Sequence, residues 1–315
     1  MRTLLVINPT AGSNSKGCAD LFRDTARKIG HRLDIAIPTS SVETERIVRQ
    51  AVRARYDRIL CSGGDGTINR VAAILTNTQI PLGIIPCGTI NVLARELRIP
   101  LDPLQALRVA LQGPVRSIDV GLANQQPFTL MAGFGFDAQV VAEIVPHLKG
   151  IFGSLTYIAT GLQVITRYKR SLFHLDIDGR LLSIPAWLVV VANASYYGYE
   201  ISLSPEARID DGYLDLCIFA EHNAFDRLMQ IGAVFTRQQY KHANITYIRA
   251  RSVRVNADPP VQMQLDGDPA GVSPVDITVA PSALQVVVPA KPAPSPLLEY
   301  RQRIVKQARQ LVAGI

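Results

Sequence analysis

The feature that most restricts what this chain can fold into is the run Gly63-Gly64-Asp65-Gly66-Thr67-Ile68-Asn69, which stands directly after an apolar stretch at 58–61 and directly before a helical pattern. Clustered glycines at a strand-to-helix turn let main-chain N–H groups come close to an anion, and the helix that follows adds a partial positive charge at the same place. Taken alone, such a loop more often reads as a tight turn with an Asp or Thr N-cap. Two companions change that balance. Asn8-Pro9-Thr10-Ala11-Gly12 follows the apolar run 3–7, with Ser13, Ser15 and Lys16 behind it, and Pro86-Cys87-Gly88-Thr89-Ile90-Asn91 follows the run 82–85. In an open parallel sheet, ligands bind outside the carboxyl ends of the strands, so all three loops are expected on one edge as a phosphate or nucleotide site.

Strand-like and helical stretches alternate from residue 3 to about residue 113, as in a parallel sheet covered by helices. Beyond that point the segments become short and β-rich (128–133, 172–177, 186–192, 214–219, 252–256, 261–265 and 284–289), which indicates a mostly antiparallel second domain. Helical stretches near 157–168 and 224–239 interrupt it. At 315 residues two domains are expected, an α/β unit over 1–120 and a β unit over 121–290, joined near 113–117 by a hinge. Pro289, Pro292, Pro294 and Pro296 then space out a connector to an amphipathic helix within 291–315, expected to pack back on the first domain.

Apolar residues make up 48% of the chain and charged residues 19%, a balance that excludes a disordered or coiled-coil protein. The longest apolar run, 186–194, is about half of what a bilayer crossing needs, and Leu4-Leu5-Val6-Ile7 is too short for the apolar core of a signal peptide. The cysteines Cys18, Cys61, Cys87 and Cys217 form no CxxC pair, which fits a reduced cytoplasm. A formal charge of +7 suits phosphates or acidic lipid surfaces, and equally an ordinary basic cytosolic protein. The five histidines show no metal-ligand spacing, and Trp187 lies in a strand run where core packing is the natural reading.

The ordered set Asn8-Pro-x-x-Gly12, Gly63-Gly-Asp-Gly-Thr67 and Gly88-Thr-x-Asn91 with Ala94-Arg95 resembles the diacylglycerol kinase catalytic-domain family of soluble bacterial lipid kinases, sphingosine kinases and ceramide kinases. The resemblance continues through Asp119-Val-Gly121, Gly133-Phe-Gly-Phe-Asp137, Asp210-Asp211-Gly-x-Leu-Asp215 and Leu265-Asp266-Gly267-Asp268, so it spans residues 3 to about 288. It implies a two-domain fold of the lipid-kinase and NAD-kinase kind: a Rossmann-like nucleotide domain with a parallel sheet, then a β-sandwich domain. ATP would lie between them.

By the same resemblance, Asn8 to Gly12, Thr39, Gly63 to Asn69 (Ile68 included) and Thr89 are nucleotide contacts; Thr39 rests on the resemblance alone. A magnesium ion is implied at Asp211 with the carbonyls of Arg208 and Tyr213, and Asp119 as an outer ligand, although Asp210-Asp211-Gly212 also reads as a hairpin tip. Phosphoryl transfer to a hydroxyl needs a proton acceptor. The resemblance implies Asp268, at the acidic third residue of the family's Asp-Gly-Glu or Asp-Gly-Asp motif, as the candidate. Asp65, similar to the acidic residue proposed for catalysis in sphingosine kinases, is its rival, while the bland reading of Asp266-Gly267-Asp268-Pro269 is a polar turn. The expected reaction is ATP-dependent phosphorylation of a diacylglycerol-like lipid by a cytoplasmic protein touching a membrane surface peripherally, with no nucleic-acid partner and a homodimer left open. The slot for the lipid tail is expected between Gly133 to Phe136 and residues 151–157. An NAD kinase-like phosphotransferase and a catalytically idle lipid or nucleotide sensor are the alternatives. Arg70 and Val92 depart from the acidic residues that relatives often carry there, which bears on the choice of lipid.

Overall fold

The computed structural model describes residues 1–12, 17–144, 168–198, 201–221, 223–236, 238–239 and 242–290. The expected helices at 157–168, apart from Tyr168, and at 291–315 lie outside these residues, as do Ser13, Ser15, Lys16 and the lipid-slot wall at 151–157. The chain opens with β1 (Thr3–Ile7), α1 (Cys18–Lys28), β2 (Leu33–Ala36), α2 (Ser41–Arg53), β3 (Arg58–Gly63), α3 (Asp65–Leu75) and β4 (Leu82–Pro86). These strands pair in parallel in the order β2-β1-β3-β4. The chain leaves β1 toward one side and β3 toward the other, so the strand order reverses between β1 and β3. That is where an open α/β sheet forms a crevice at its carboxyl edge.

Local chemistry sets the helix ends. Ser40 caps α2 by accepting the Glu43 N–H at 3.1 Å, and Asp102 caps α5 (Pro103–Gln112), which has proline in its first turn. Between them lies the short α4 (Val92–Glu96). The first core, with Leu5, Val6, Ile59, Leu60, Ile68 and Ile84 at its centre, fills the space between this sheet and its helices.

The second half is antiparallel: β6 (Gln126–Phe128), β7 (Met131–Gly135), α6 (Phe136–Ile144), β8 (Ser171–Ile177), β9 (Arg180–Ala192), β10 (Tyr196–Gly198), β11 (Ile201–Ser202), β12 (Leu214–Ala220), α7 (Ala224–Phe235), β13 (Ile245–Ala250), β14 (Ser252–Asp258), β15 (Gln262–Leu265) and β16 (Asp268–Val272). Strand alternation divides its interior. On β9 and β12, Val189, Val191, Leu216 and Ile218 face one core, while Leu188, Val190, Cys217 and Phe219 face another with Trp187. Trp187 is a core residue, as read from the sequence, and its indole N–H donates to Gln230 Oε1 at 2.6 Å.

The expected joint at 113–117 leads into β5 (Val115–Ala123), a strand that runs antiparallel along β17 (Val275–Val287). β17 pairs with β14 at one end and with β4 at the other. Ile118 and Val120 belong to the first core and Ala123 to the second, so β5 passes through both. Its polar residues concealed it from sequence patterning: Asp119 is 2% exposed but fully bonded within the fold.

Candidate active site

At the carboxyl edge, α3 begins with Gly64 as its N-cap and no side chain capping it. The N–H groups of Thr67 and Ile68 turn back to Gly64 O at 3.0 and 3.1 Å, leaving the N–H groups before them as donors for an anion. Gly63 is held against Thr67, and the Ile68 side chain sits wholly in the core, supporting the loop from below.

Asn8 ties the first loop to this one. Its Nδ2 donates to Thr67 Oγ1 at 2.8 Å, while its Oδ1 accepts from the N–H and hydroxyl of Thr10 at 3.0 and 2.9 Å. Pro9, Thr10 and Gly12 are exposed beside it, and Ala11 is half-buried. The loop after β4 is nearer still: a Cβ on Gly88 would stand 2.7 Å from Gly64 Cα. Thr89 is exposed at its tip. The structure therefore brings the three glycine loops together, as the sequence indicates. Thr39 lies past the end of β2, with its N–H and hydroxyl both given to Glu43 Oε2 at 2.8 Å.

Asp65 fastens the second loop to the third. Its Oδ2 accepts the Asn91 N–H at 2.8 Å and its Oδ1 the Val92 N–H at 2.6 Å, so it supplies the N-terminal charge of α4 from another segment. Burial pushes its pKa up and these N–H bonds pull it back. Asn91 adopts φ 57° and closes the turn by exchanging hydrogen bonds with Gly88 N–H and C=O at 2.9 and 2.8 Å. Val92 thus contributes its main chain, and Arg70 pairs with Glu45 of α2 at 2.9 Å.

Facing these loops is the hairpin between β15 and β16. Asp266 and Gly267 have φ 49° and 88°, the left-handed pair of a two-residue turn. Asp266 turns its carboxylate inward to accept the N–H groups of Thr129, Leu130 and Met131 at 2.7, 2.8 and 2.9 Å. Burial raises its pKa against those bonds. Thr129 Oγ1 lies 3.0 Å from Asp266 Oδ2 and 3.3 Å from the Asn69 amide. A hydroxyl has one proton, and the carboxylate is the better acceptor, so Thr129 donates to Asp266. Asp268 stands exposed on the turn, and its Oδ2 lies 4.0 Å from where a Cβ on Gly66 would be. The gap between Gly66 and Asp268 therefore joins the glycine-loop edge to a carboxylate without a partner among the described residues.

A diacylglycerol kinase catalytic domain model matches residues 2–123, and a YegS C-terminal NAD kinase beta sandwich-like domain model matches residues 131–288. The chain is 30% identical over 302 residues to a diacylglycerol kinase of Staphylococcus aureus (strain JH9), covering 91% of this chain and 92% of that one. The chain belongs to the diacylglycerol kinase family. A diacylglycerol kinase of Bacillus subtilis (strain 168) is 29% identical over 299 residues, across 93% of this chain and 98% of its own. A crystal structure of a diacylglycerol kinase from Bacillus anthracis str. Sterne has the same two-domain fold, with TM-score 0.73 at 20% identity over 93% of this chain and 98% of that one.

A kinase family implies a nucleotide substrate and, as a rule, a divalent metal. The residues read as metal ligands fit a hydrated cation only in part. Asp211 pairs with Arg249 through Oδ2 and accepts the Tyr213 N–H at 3.2 Å through Oδ1. The Arg249 side chain is 53% exposed, so a cation could displace it and complete its shell with carbonyls and water. Asp119 is a tie within the fold, accepting the N–H groups of Gly212 at 2.6 Å and Ser282 at 2.7 Å. Arg208 is exposed and lines a cavity of about 420 Å³ with Glu96, Arg98, Arg116 and Asp210.

One residue that ties these segments together has no motif to mark it in the sequence. Asn193, 1% exposed, donates to both Asp119 O and Thr129 O at 2.9 and 2.8 Å. It links the segment of the metal candidates to the Asp266 hairpin. Only its place as an amide in an apolar strand end hinted at this.

Proposed function

We propose that this protein is an ATP-dependent lipid kinase that phosphorylates the hydroxyl of a diacylglycerol-like lipid. The observation that carries the reading is the exposed Asp268 carboxylate facing Gly66 at the open N-terminus of α3. The uncapped N–H groups of α3 and the glycine surfaces at Gly64 and Gly88 hold the nucleotide phosphates, with Asn8, Thr67 and Asp65 fixing the loops around them. A magnesium ion would neutralise phosphate charge; Asp211 with the carbonyls of Arg208 and Tyr213 is the set that would hold one. Asp268 accepts the lipid hydroxyl proton as that oxygen bonds to the terminal phosphorus, and the bond to the departing nucleoside diphosphate breaks. Asp65, with both oxygens committed to main-chain N–H groups, positions the loops.

Radiolabelled ATP offered in parallel to diacylglycerol, extracted lipids and NAD tests the substrate. Labelled lipid is the expected product, and label on NAD alone would replace this reading with a nicotinamide-dinucleotide kinase. Asp268→Asn is expected to lose turnover by about a hundredfold or more while nucleotide binding persists. A variant of undiminished kcat would return the proton to another acceptor.

A further inference from the structure

Behind the Asp268 turn lies a polar chain that the catalytic reading does not use. Asp137, in the first turn of α6, is 4% exposed, and Gln264 of β15 is 2% exposed. Gln264 Nε2 donates to Asp137 Oδ2 at 2.7 Å, and Gln264 Oε1 accepts the Gly267 N–H at 2.7 Å. Tyr197 OH donates to Asp137 Oδ1. Gly133 keeps room for this arrangement, because a Cβ there would stand 2.2 Å from Asp137 Oδ2 and 2.6 Å from Gln264 Nε2.

The geometry decides what the chain holds. Asp266 fastens one side of the turn to 129–131, and the Gln264 bond fixes the Gly267 peptide plane on the other side, one residue before Asp268. The turn's two left-handed residues, Asp266 and Gly267, leave the direction of the Asp268 carboxylate dependent on such restraints. A buried amide can accept from Gly267 only if its NH2 is satisfied behind it, and Asp137 supplies that acceptor.

We propose that Asp137 and Gln264 are positioning residues for the phosphoryl-transfer reaction, aiming Asp268 through the Gly267 peptide. This rests on the reading of Asp268 as the proton acceptor. An apolar replacement of a buried polar pair is often tolerated by the fold, so stability and catalysis can be separated.

The test measures kcat, nucleotide KM and urea stability for Gln264→Met, Asp137→Leu and Asp137→Asn, alone and in the Asp268→Asn background. Gln264→Met and Asp137→Leu are each expected to lower kcat by roughly ten- to a hundredfold, as for a misplaced catalytic group, with nucleotide KM within about twofold. Combined, they lose no more than either alone. Asp137→Asn, which keeps the Gln264 bond, recovers most of the loss. In the Asp268→Asn background, Gln264→Met costs nothing further, which a merely structural role would not produce. Full kcat in Gln264→Met, or losses that multiply with Asp268→Asn, would overturn the relay while leaving Asp268 in place. Undiminished turnover in Asp268→Asn itself would remove the proton acceptor, and the relay with it.

Discussion

Single carboxylates at this site differ in what their oxygens touch. Asp65, Asp119 and Asp266 each spend both oxygens on main-chain N–H groups, whereas Asp268 faces the open gap. Asp65→Asn can satisfy only one of its two N–H donors, a loss of about 1–3 kcal/mol, and should weaken nucleotide binding as the Gly64–Gly88 contact loosens. Urea denaturation and nucleotide titration check this; unchanged values in both would mean that the clamp is not needed. Glu96 offers a pH-dependent case. Its Oε2 accepts from Ser195 N, Ser195 Oγ and Tyr196 N at 3.1, 2.9 and 3.2 Å, yet burial pushes its pKa up. The folded protein therefore binds this proton more tightly than the unfolded chain. The resulting stability is fully present below the unfolded pKa, near 4.3, and is lost as pH rises through the higher folded value. Glu96→Gln keeps an acceptor and removes the titration, so its stability relative to the native protein should increase across that range. A difference that stays flat with pH would contradict the assignment.

Among the elements, β5 and β17 are what make two domains one sheet. Gly121 of β5 faces Phe128 of β6, and a Cβ there would stand 2.0 Å from the ring. Phe128 is 1% exposed in the second core, so the ring cannot swing away. Gly121→Ala is expected to cost about 1–3 kcal/mol through overpacking, measured as a lower denaturation midpoint, with Phe128→Leu in the same chain restoring part of it. A neutral Gly121→Ala would show that the strand pair shifts freely. The elements of the first half were legible because apolar strands and amphipathic helices alternate there. β5 was not, since Arg116, Ser117 and Asp119 break the apolar pattern and find their partners only in distant segments. The short α4 belongs to the alternation that was legible, as the stretch 92–97, although its cap, Asp65, lies far away in sequence.

For the whole molecule, a lipid substrate requires access to a bilayer, and no helix among the described residues is long and apolar enough to cross one. The proposed contact is peripheral, through the net charge of +7 and the basic residues Arg301, Arg303, Lys306 and Arg309, each contributing roughly 1 kcal/mol near an anionic surface. Vesicle sedimentation is expected to rise with anionic lipid and fall with salt. Equal binding to neutral vesicles, or no change on reversing charge at Arg303, Lys306 and Arg309, would rule out this contact.

The sequence by itself determined the three glycine loops, their order, and hence the sheet edge on which they meet, because a strand followed by Gly-rich turn and helix is a local arrangement. It also marked Asp268, through the likeness of Asp266-Gly267-Asp268 to the acidic motif of the lipid kinase family. Tertiary structure alone decided which carboxylates are tied and which is free, and how Asn193, Thr129, Asp137 and Gln264 join the hairpin to the rest. Those roles depend on hydrogen bonds between residues far apart in the chain, and a buried polar side chain shows its purpose only once its partner is beside it.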